Sequence, residues 1–152
     1  MQLVKKNYQI MRFEIVNNYD AILYLKEKYA AYIFRCCYIP CFDLYDPSST
    51  LPKVGDYING YICIKFAFPN QISPAFPKLL LGNYQEDTIS NTIYACGVVK
   101  EIFSSDKIII YLNDLGYVLV IYEMDSSYKV GDECLVQGEL HLDTIDENEI
   151  FD

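Results

Sequence analysis

The residues able to do chemistry are few. There are six cysteines, Cys36, Cys37, Cys41, Cys63, Cys96 and Cys134, and a single histidine, His141. The run Cys36-Cys37-Tyr38-Ile39-Pro40-Cys41 is dense in thiols. Neighbouring residues of a strand point to opposite faces, so Cys36 and Cys37 cannot easily share one tetrahedral ion. No two-residue Cys spacing occurs and no second Cys or His pair follows. The expectation is small thiols packed in an apolar strand, with no metal and no cofactor. Any Cys–His or Ser–His nucleophile must use His141, which alternates with Leu140 and Leu142 and so belongs on the opposite, exposed face of the last strand. Cys134 and Cys96 stay open as its thiol partners. There is no Gly-x-Ser-x-Gly elbow, Walker loop or Gly-x-Gly-x-x-Gly turn. The acids form many pairs and single out none. These residues predict a protein that is not an enzyme.

The elements that must position these groups read as strands. Ile93 to Phe103, Lys107 to Leu112, Tyr117 to Tyr122 and Glu133 to Leu142 are β-branched or alternating runs. They are separated by Ser104-Ser105-Asp106, Asn113-Asp114-Leu115-Gly116 and Asp125-Ser126-Ser127. Short strands at this spacing, punctuated by turn residues, indicate a small sandwich or barrel. Gln9 to Val16 alternates as a half-buried strand. Residues 20 to 28 fit either a strand or a short helix capped by Asn18 or Asp20, and the strand is preferred. Pro69, Pro74 and Pro77 make Pro69 to Asn91 a connector, pinned by Leu79-Leu80-Leu81. Hydrophobic residues at 52% and charged residues at 22% of 152 support a packed core without staples. The longest apolar stretch, Ala30 to Phe42, is broken by Arg35 and Pro40 and is too short to span a bilayer. Met1 to Lys6 has no apolar leader core, which with the cysteines points to a reduced, cytoplasmic setting.

One pattern occurs twice. Lys53-Val54-Gly55-Asp56 precedes Gly60 and the ladder Ile62, Ile64; Lys129-Val130-Gly131-Asp132 precedes Gly138 and the ladder Leu140, Leu142. The copies lie 76 residues apart, half the chain. A tandem duplication is one reading, chance similarity of two turn-plus-strand pieces the other. In the 76-residue register Ala21 to Lys26 falls opposite the Gly97 strand, Tyr29 to Tyr38 opposite the Ile108 strand and Cys41 to Tyr45 opposite the Val118 strand. Gln9 to Val16 falls outside it. The expected organisation is an N-terminal β unit (1–76), a connector (77–92), a C-terminal β unit (93–142) and an acidic tail (143–152), all of which could pack as one domain.

Gly97-Val98-Val99-Lys100-Glu101-Ile102, the Ile108 to Leu112 strand, Gly116-Tyr117-Val118 and Lys129-Val130-Gly131-Asp132 with Val136 resemble an OB-fold, of the RNA-binding barrel type found in ribosomal and translation proteins. The resemblance covers about fifty residues and is one of fold. It implies aromatic and basic residues on the barrel face for stacking bases and holding phosphates. The expected fold is therefore mainly β, with one or two small OB- or SH3-like barrels and at most a short helix.

Charge argues about partners. Residues 1–76 carry 8 Lys/Arg against 6 Asp/Glu, and residues 77–152 carry 4 against 15, within a net charge of -9. Such a field repels phosphate backbones and acidic membranes and attracts basic proteins. With 15 tyrosines available as wide, stiff contact groups, the expectation is a protein-binding protein. Its concrete form is an immunity-type inhibitor that occupies the cationic site of a basic toxin such as a nuclease. The expected contact residues are Glu123, Asp125, Asp132, Glu133, Glu139, Asp143, Asp146 and Glu147, with Tyr122 and Tyr128 beside them. Two alternatives remain: a single-stranded nucleic-acid module using Lys26, Lys28, Arg35, Lys53 and Lys65, and an accessory subunit of a larger assembly.

Overall fold

The turn that the sequence repeats is built the same way in both places. In a computed structural model that describes residues 3–16, 21–29, 33–38, 53–69, 79–80, 92–112 and 115–144, the Asp56 carboxylate accepts from the Lys53 amide at 3.0 Å and that of Asp132 from the Lys129 amide at 2.9 Å. Gly55 and Gly131 sit at φ +95° and +96°, a left-handed conformation that disfavours any side chain. Each turn docks on an earlier strand through a matched pair of bonds. Ile10 donates to the Asp56 carbonyl and accepts from Gly55; Val99 donates to the Asp132 carbonyl and accepts from Gly131.

The described residues form nine strands in chain order: β1 (Lys6–Ile15), β2 (Ala21–Glu27), β3 (Phe34–Tyr38), β4 (Tyr57–Pro69), β5 (Leu79–Leu80), β6 (Thr92–Ser104), β7 (Lys107–Leu112), β8 (Gly116–Tyr122) and β9 (Glu133–Asp143). No helix occurs among the described residues, and residues 21–27 take the strand alternative. Cys41 to Tyr45 and the acidic tail beyond residue 144 lie outside the described residues, as does the connector apart from Pro69 and the Leu79–Leu80 pairing with β6.

Eight of the strands form a ring in the order β1, β2, β3, β9, β6, β7, β8, β4 and back to β1, and a β4–β9 ladder crosses it. The ladder divides the ring into two five-strand circuits, β1-β2-β3-β9-β4 and β6-β7-β8-β4-β9. In both, the third strand pairs in parallel with the fourth round the circuit (β3–β9 and β8–β4), and the other pairings are antiparallel. Each circuit is a small closed β-barrel of OB-like connectivity, and β4 and β9 belong to both. β4 begins beside β1 and ends between β8 and β9; β9 begins beside β6 and ends between β3 and β4.

The correspondence between halves is β1 with β6, β2 with β7 and β3 with β8. This corrects the 76-residue register, which left β1 unmatched and set β2 against β6. Unequal loops cause the slip: the spacing falls from 89 residues at Ile10 and Val99 to 76 at Gly55 and Gly131.

Alternate side chains fill both barrels. Ile62 and Ile64 of β4 and Val136, Leu140 and Leu142 of β9 join Leu23, Leu25, Ile108, Ile110, Val118 and Val120 in one buried cluster. The outward face of β4, β7 and β8 is also covered: Tyr61, Cys63, Ile109 and Leu119 pack with Leu3. Burial on both faces explains why Ile108-Ile109-Ile110 is a continuous apolar run.

Candidate functional site

The wall where β9 runs between β3 and β4 places Cys37, His141 and Cys63 in one row. Cys37 is in register with His141 on one side, and Cys63 with His141 on the other. Glu139 and Asp143 lie two residues either side of His141 on the same face, and Lys65 is in register with Glu139. Alternation sorts the thiols as the sequence implies: Cys36 points into the barrel and is fully buried, whereas Cys37 faces this row. Desolvation pushes the Cys36 thiol far up, and holds Cys63 up at about 12, with the Asp143 charge adding to the effect and Lys65 opposing it.

His141 is only 7% exposed. This corrects the expectation of an exposed strand histidine. It does point away from Leu140 and Leu142, but it sits in the middle strand of three and is flanked by side chains. Its Nε2 lies 3.3 Å from Glu139 Oε2, and the Phe66 ring stands 5.9 Å away, centroid to centroid. Burial, then the Lys65 charge, lowers its pKa, against the opposing pull of Glu139 and Asp143. Lys65 Nζ is 3.6 Å from Asp143 Oδ2. Phe66 reaches His141 because β4 bulges there: Lys65 faces Glu139 and Phe68 faces Gln137, leaving Phe66 and Ala67 against Gly138 alone. Phe66 takes φ +53° at this bulge, an unusual value for a bulky residue and a way of re-aiming a side chain.

One ligand atom each from Cys37, Glu139 and His141 lies within 4.8 Å of the other two. Such a set can hold a thiophilic divalent cation, or supply a thiol, an imidazole and an orienting carboxylate. Cys134 and Cys96 are not the thiols involved: Cys134 points into the second barrel, on the face of β9 opposite His141, where burial raises it to about 12. The alternation signal placed His141 outward, but no local pattern could announce β3 as the strand beside it.

The expected contact residues divide. Glu123 and Asp125 are exposed at one end of the second barrel. There Ser105 Oγ donates to Asp125 Oδ1 at 2.6 Å, Ser104 Oγ donates to Asp106 Oδ1 at 2.6 Å, and the Ser126 amide donates to the Ser105 carbonyl at 2.7 Å. These bonds hold the β6–β7 turn against the segment after β8, so Asp106, Glu123 and Asp125 share that end. Glu133 is exposed at the start of β9; Asp132 is exposed too, but one carboxylate oxygen is used within its own turn. Glu139 and Asp143 belong to the histidine wall. Asp146 and Glu147 lie outside the described residues. Tyr122 is corrected: at 4% exposure it is a core residue, its hydroxyl buried beside Cys134. Tyr128 is half-buried, its ring 6.2 Å from that of Tyr122.

Among the basic residues, Lys65 serves Asp143, Lys28 lies 5.4 Å over the Tyr29 ring and Lys53 is exposed at its turn. The side chain of Arg35 lies outside the described residues. On the outer surface of β7 and β8, Tyr111 and Tyr117 meet edge to face at 5.2 Å and are more than a third exposed. No helix of the described residues is long and apolar enough to cross a membrane. Neither a family model, nor a curated protein, nor a solved structure matches this chain.

Proposed function

We propose that the chain is a protein-binding module that docks a basic partner on the acidic end of its second barrel. The observation that carries this reading is the set of carboxylates Asp106, Glu123 and Asp125 at one barrel end, Glu123 and Asp125 exposed, with Asp106 and Asp125 held by serine hydrogen bonds. Fixed carboxylates steer and orient a cationic surface at little ordering cost. The half that carries them has 15 acids against 4 bases. The concrete form is an immunity-type inhibitor that covers the phosphate-binding groove of a basic toxin such as a nuclease. Pull-down from source-cell lysate at low and high salt, with the wild type and with Glu123→Lys/Asp125→Lys, tests it. Capture of a basic protein that is lost with salt and with charge reversal, and whose own activity falls on titration with the chain, supports the reading. Capture indifferent to both rejects it.

A second reading rests on Tyr111 and Tyr117. They lie on the second and third strands of the β6-β7-β8-β4-β9 circuit, the face on which OB-folds bind oligonucleotides. Exposed aromatics there offer a base-stacking platform. A gel shift with single-stranded RNA and DNA at low salt that disappears in Tyr111→Ala/Tyr117→Ala favours it; no shift ends it.

A further inference from the structure

We infer that Cys37, Glu139 and His141 form a zinc site that clamps β3 to β9. Cys37 and His141 face each other across the parallel β3–β9 pair, Glu139 lies two residues before His141 on β9, and one ligand atom from each lies within 4.8 Å of the others. Zinc takes thiolate at ~2.3 Å and imidazole or carboxylate at ~2.0 Å, so tetrahedral ligand atoms stand roughly 3.5 Å apart. Side-chain adjustment of about an ångström closes the gap, with no change in strand register. A mixed sulfur, nitrogen and oxygen set selects zinc over magnesium or calcium.

Two further features fit. The first is charge. Glu139 and Asp143 lie on either side of His141 and Lys65 Nζ is 3.6 Å from Asp143, two carboxylates against one ammonium, which leaves a net negative wall. A divalent ion with one thiolate brings that wall to neutrality. The proton lost from the Cys37 thiol leaves to solvent on binding. The second is mechanical. Among the described residues β3 meets β9 through two register pairs, Cys37 with His141 and Tyr38 with Leu142. That seam closes the first barrel, and a metal bridging it ties the third strand of the first unit to the last strand of the second. Phe66, turned over His141 by the β4 bulge, covers one side. The fourth coordination position is left for water or for a donor from a bound molecule.

The test uses the untagged full chain, stripped of metal and kept reduced, titrated with cobalt(II) as a spectroscopic stand-in and then with zinc. The expected result is one equivalent of cobalt bound, with a near-ultraviolet thiolate-to-cobalt band and d–d bands of tetrahedral intensity, both abolished by one equivalent of zinc and untouched by magnesium. Cys37→Ser removes the thiolate band. Glu139→Gln and His141→Gln each weaken zinc binding by at least about 100-fold, the upper end of what loss of a supporting residue costs. Cys134→Ser, inside the second barrel, changes nothing. Circular dichroism of each metal-free variant shows whether it is folded, and Glu139→Gln, half-exposed and isosteric, keeps the test decisive where Cys37→Ser or His141→Gln unfolds the chain. Absence of a stoichiometric tetrahedral spectrum, or a spectrum unchanged in Cys37→Ser and Glu139→Gln, overturns the inference.

Discussion

Gly138→Ala should destabilise the whole chain, and the size of the effect follows from the β4 bulge. Gly138 stands opposite two residues, Phe66 and Ala67, where a regular ladder would set one. A Cβ added there would lie 2.6 Å from Ile64 Cγ2, 2.9 Å from the Lys65 carbonyl oxygen and 3.2 Å from Ala67 Cα. Carbon atoms in ordinary contact sit at about 3.5–4.0 Å, so the first contact is about an ångström too short. The other two atoms are backbone and move only if the bulge does. Overpacking of this kind costs about 1–3 kcal/mol, and the narrower unfolded ensemble of alanine returns about 0.4–1 kcal/mol. The net loss is therefore about 1–2 kcal/mol. With a urea dependence of about 2 kcal/mol per molar, the midpoint falls by about 0.5–1 M. Equilibrium urea unfolding, followed by far-UV circular dichroism and tyrosine fluorescence, measures it. The companion measurement is the double-mutant cycle with Ile64→Ala, which removes the nearest clashing atom and should cut the cost of Gly138→Ala by about half. An unchanged midpoint, or the same loss in both backgrounds, refutes the steric reasoning. Because Gly138 lies in a strand common to both barrels, the two probes should also report one coincident transition.

Asp56→Ala and Asp132→Ala each remove the carboxylate that caps a turn amide, and each should cost about 1 kcal/mol by the same assay, by analogy with the loss of a helix cap. A marked difference between the two would contradict their shared geometry. Stability should also depend on His141 in a defined direction. Its pKa in the folded chain is below the ordinary histidine value, so the unfolded chain binds the proton more tightly. The stabilisation it gives is complete above the unfolded pKa, near 6.5, and is lost as pH falls through the lower folded value. Urea midpoints between about pH 7 and pH 4.5 should fall more steeply in the wild type than in His141→Gln; parallel slopes would contradict this.

Much of the secondary structure was legible because local chemistry decides it. Lys107 to Leu112 is a β-branched run between two turn signals, and its bounds as a strand match the expectation. The paired Lys-Val-Gly-Asp turns declare themselves because only glycine suits their backbone and only a short acid caps them. The path of the strands was not legible. Alternation shows that Ile62 and Leu140 face inward, but not that β4 and β9 each line two interiors, since partner choice is settled by closure of the ring. Tyr122 shares its parity with Val118 and Val120, so its burial was readable; its position beside the acidic Glu123 and Asp125 drew it toward the surface set. His141 illustrates the remaining gap. Its face followed from Leu140 and Leu142, but its burial and its neighbour Cys37 come from a strand a hundred residues away.

Each barrel is finished by a strand that starts in the other. This is the arrangement of a strand-exchanged dimer, drawn through a single chain. A segment holding only β1 to β4 has a long fourth strand whose far end fits a second barrel and a first barrel that lacks its fifth strand. Two copies of such a segment satisfy each other, and nothing in the topology requires them to be joined. Joining them converts a concentration-dependent association into an intramolecular one and lets the two halves carry different charge, as the acidic second half and the near-neutral first half do. The same exchange places the histidine wall where it is. His141 stands in the part of β9 that has already crossed into the first barrel, so its cluster with Cys37 exists only when both halves are present and correctly exchanged.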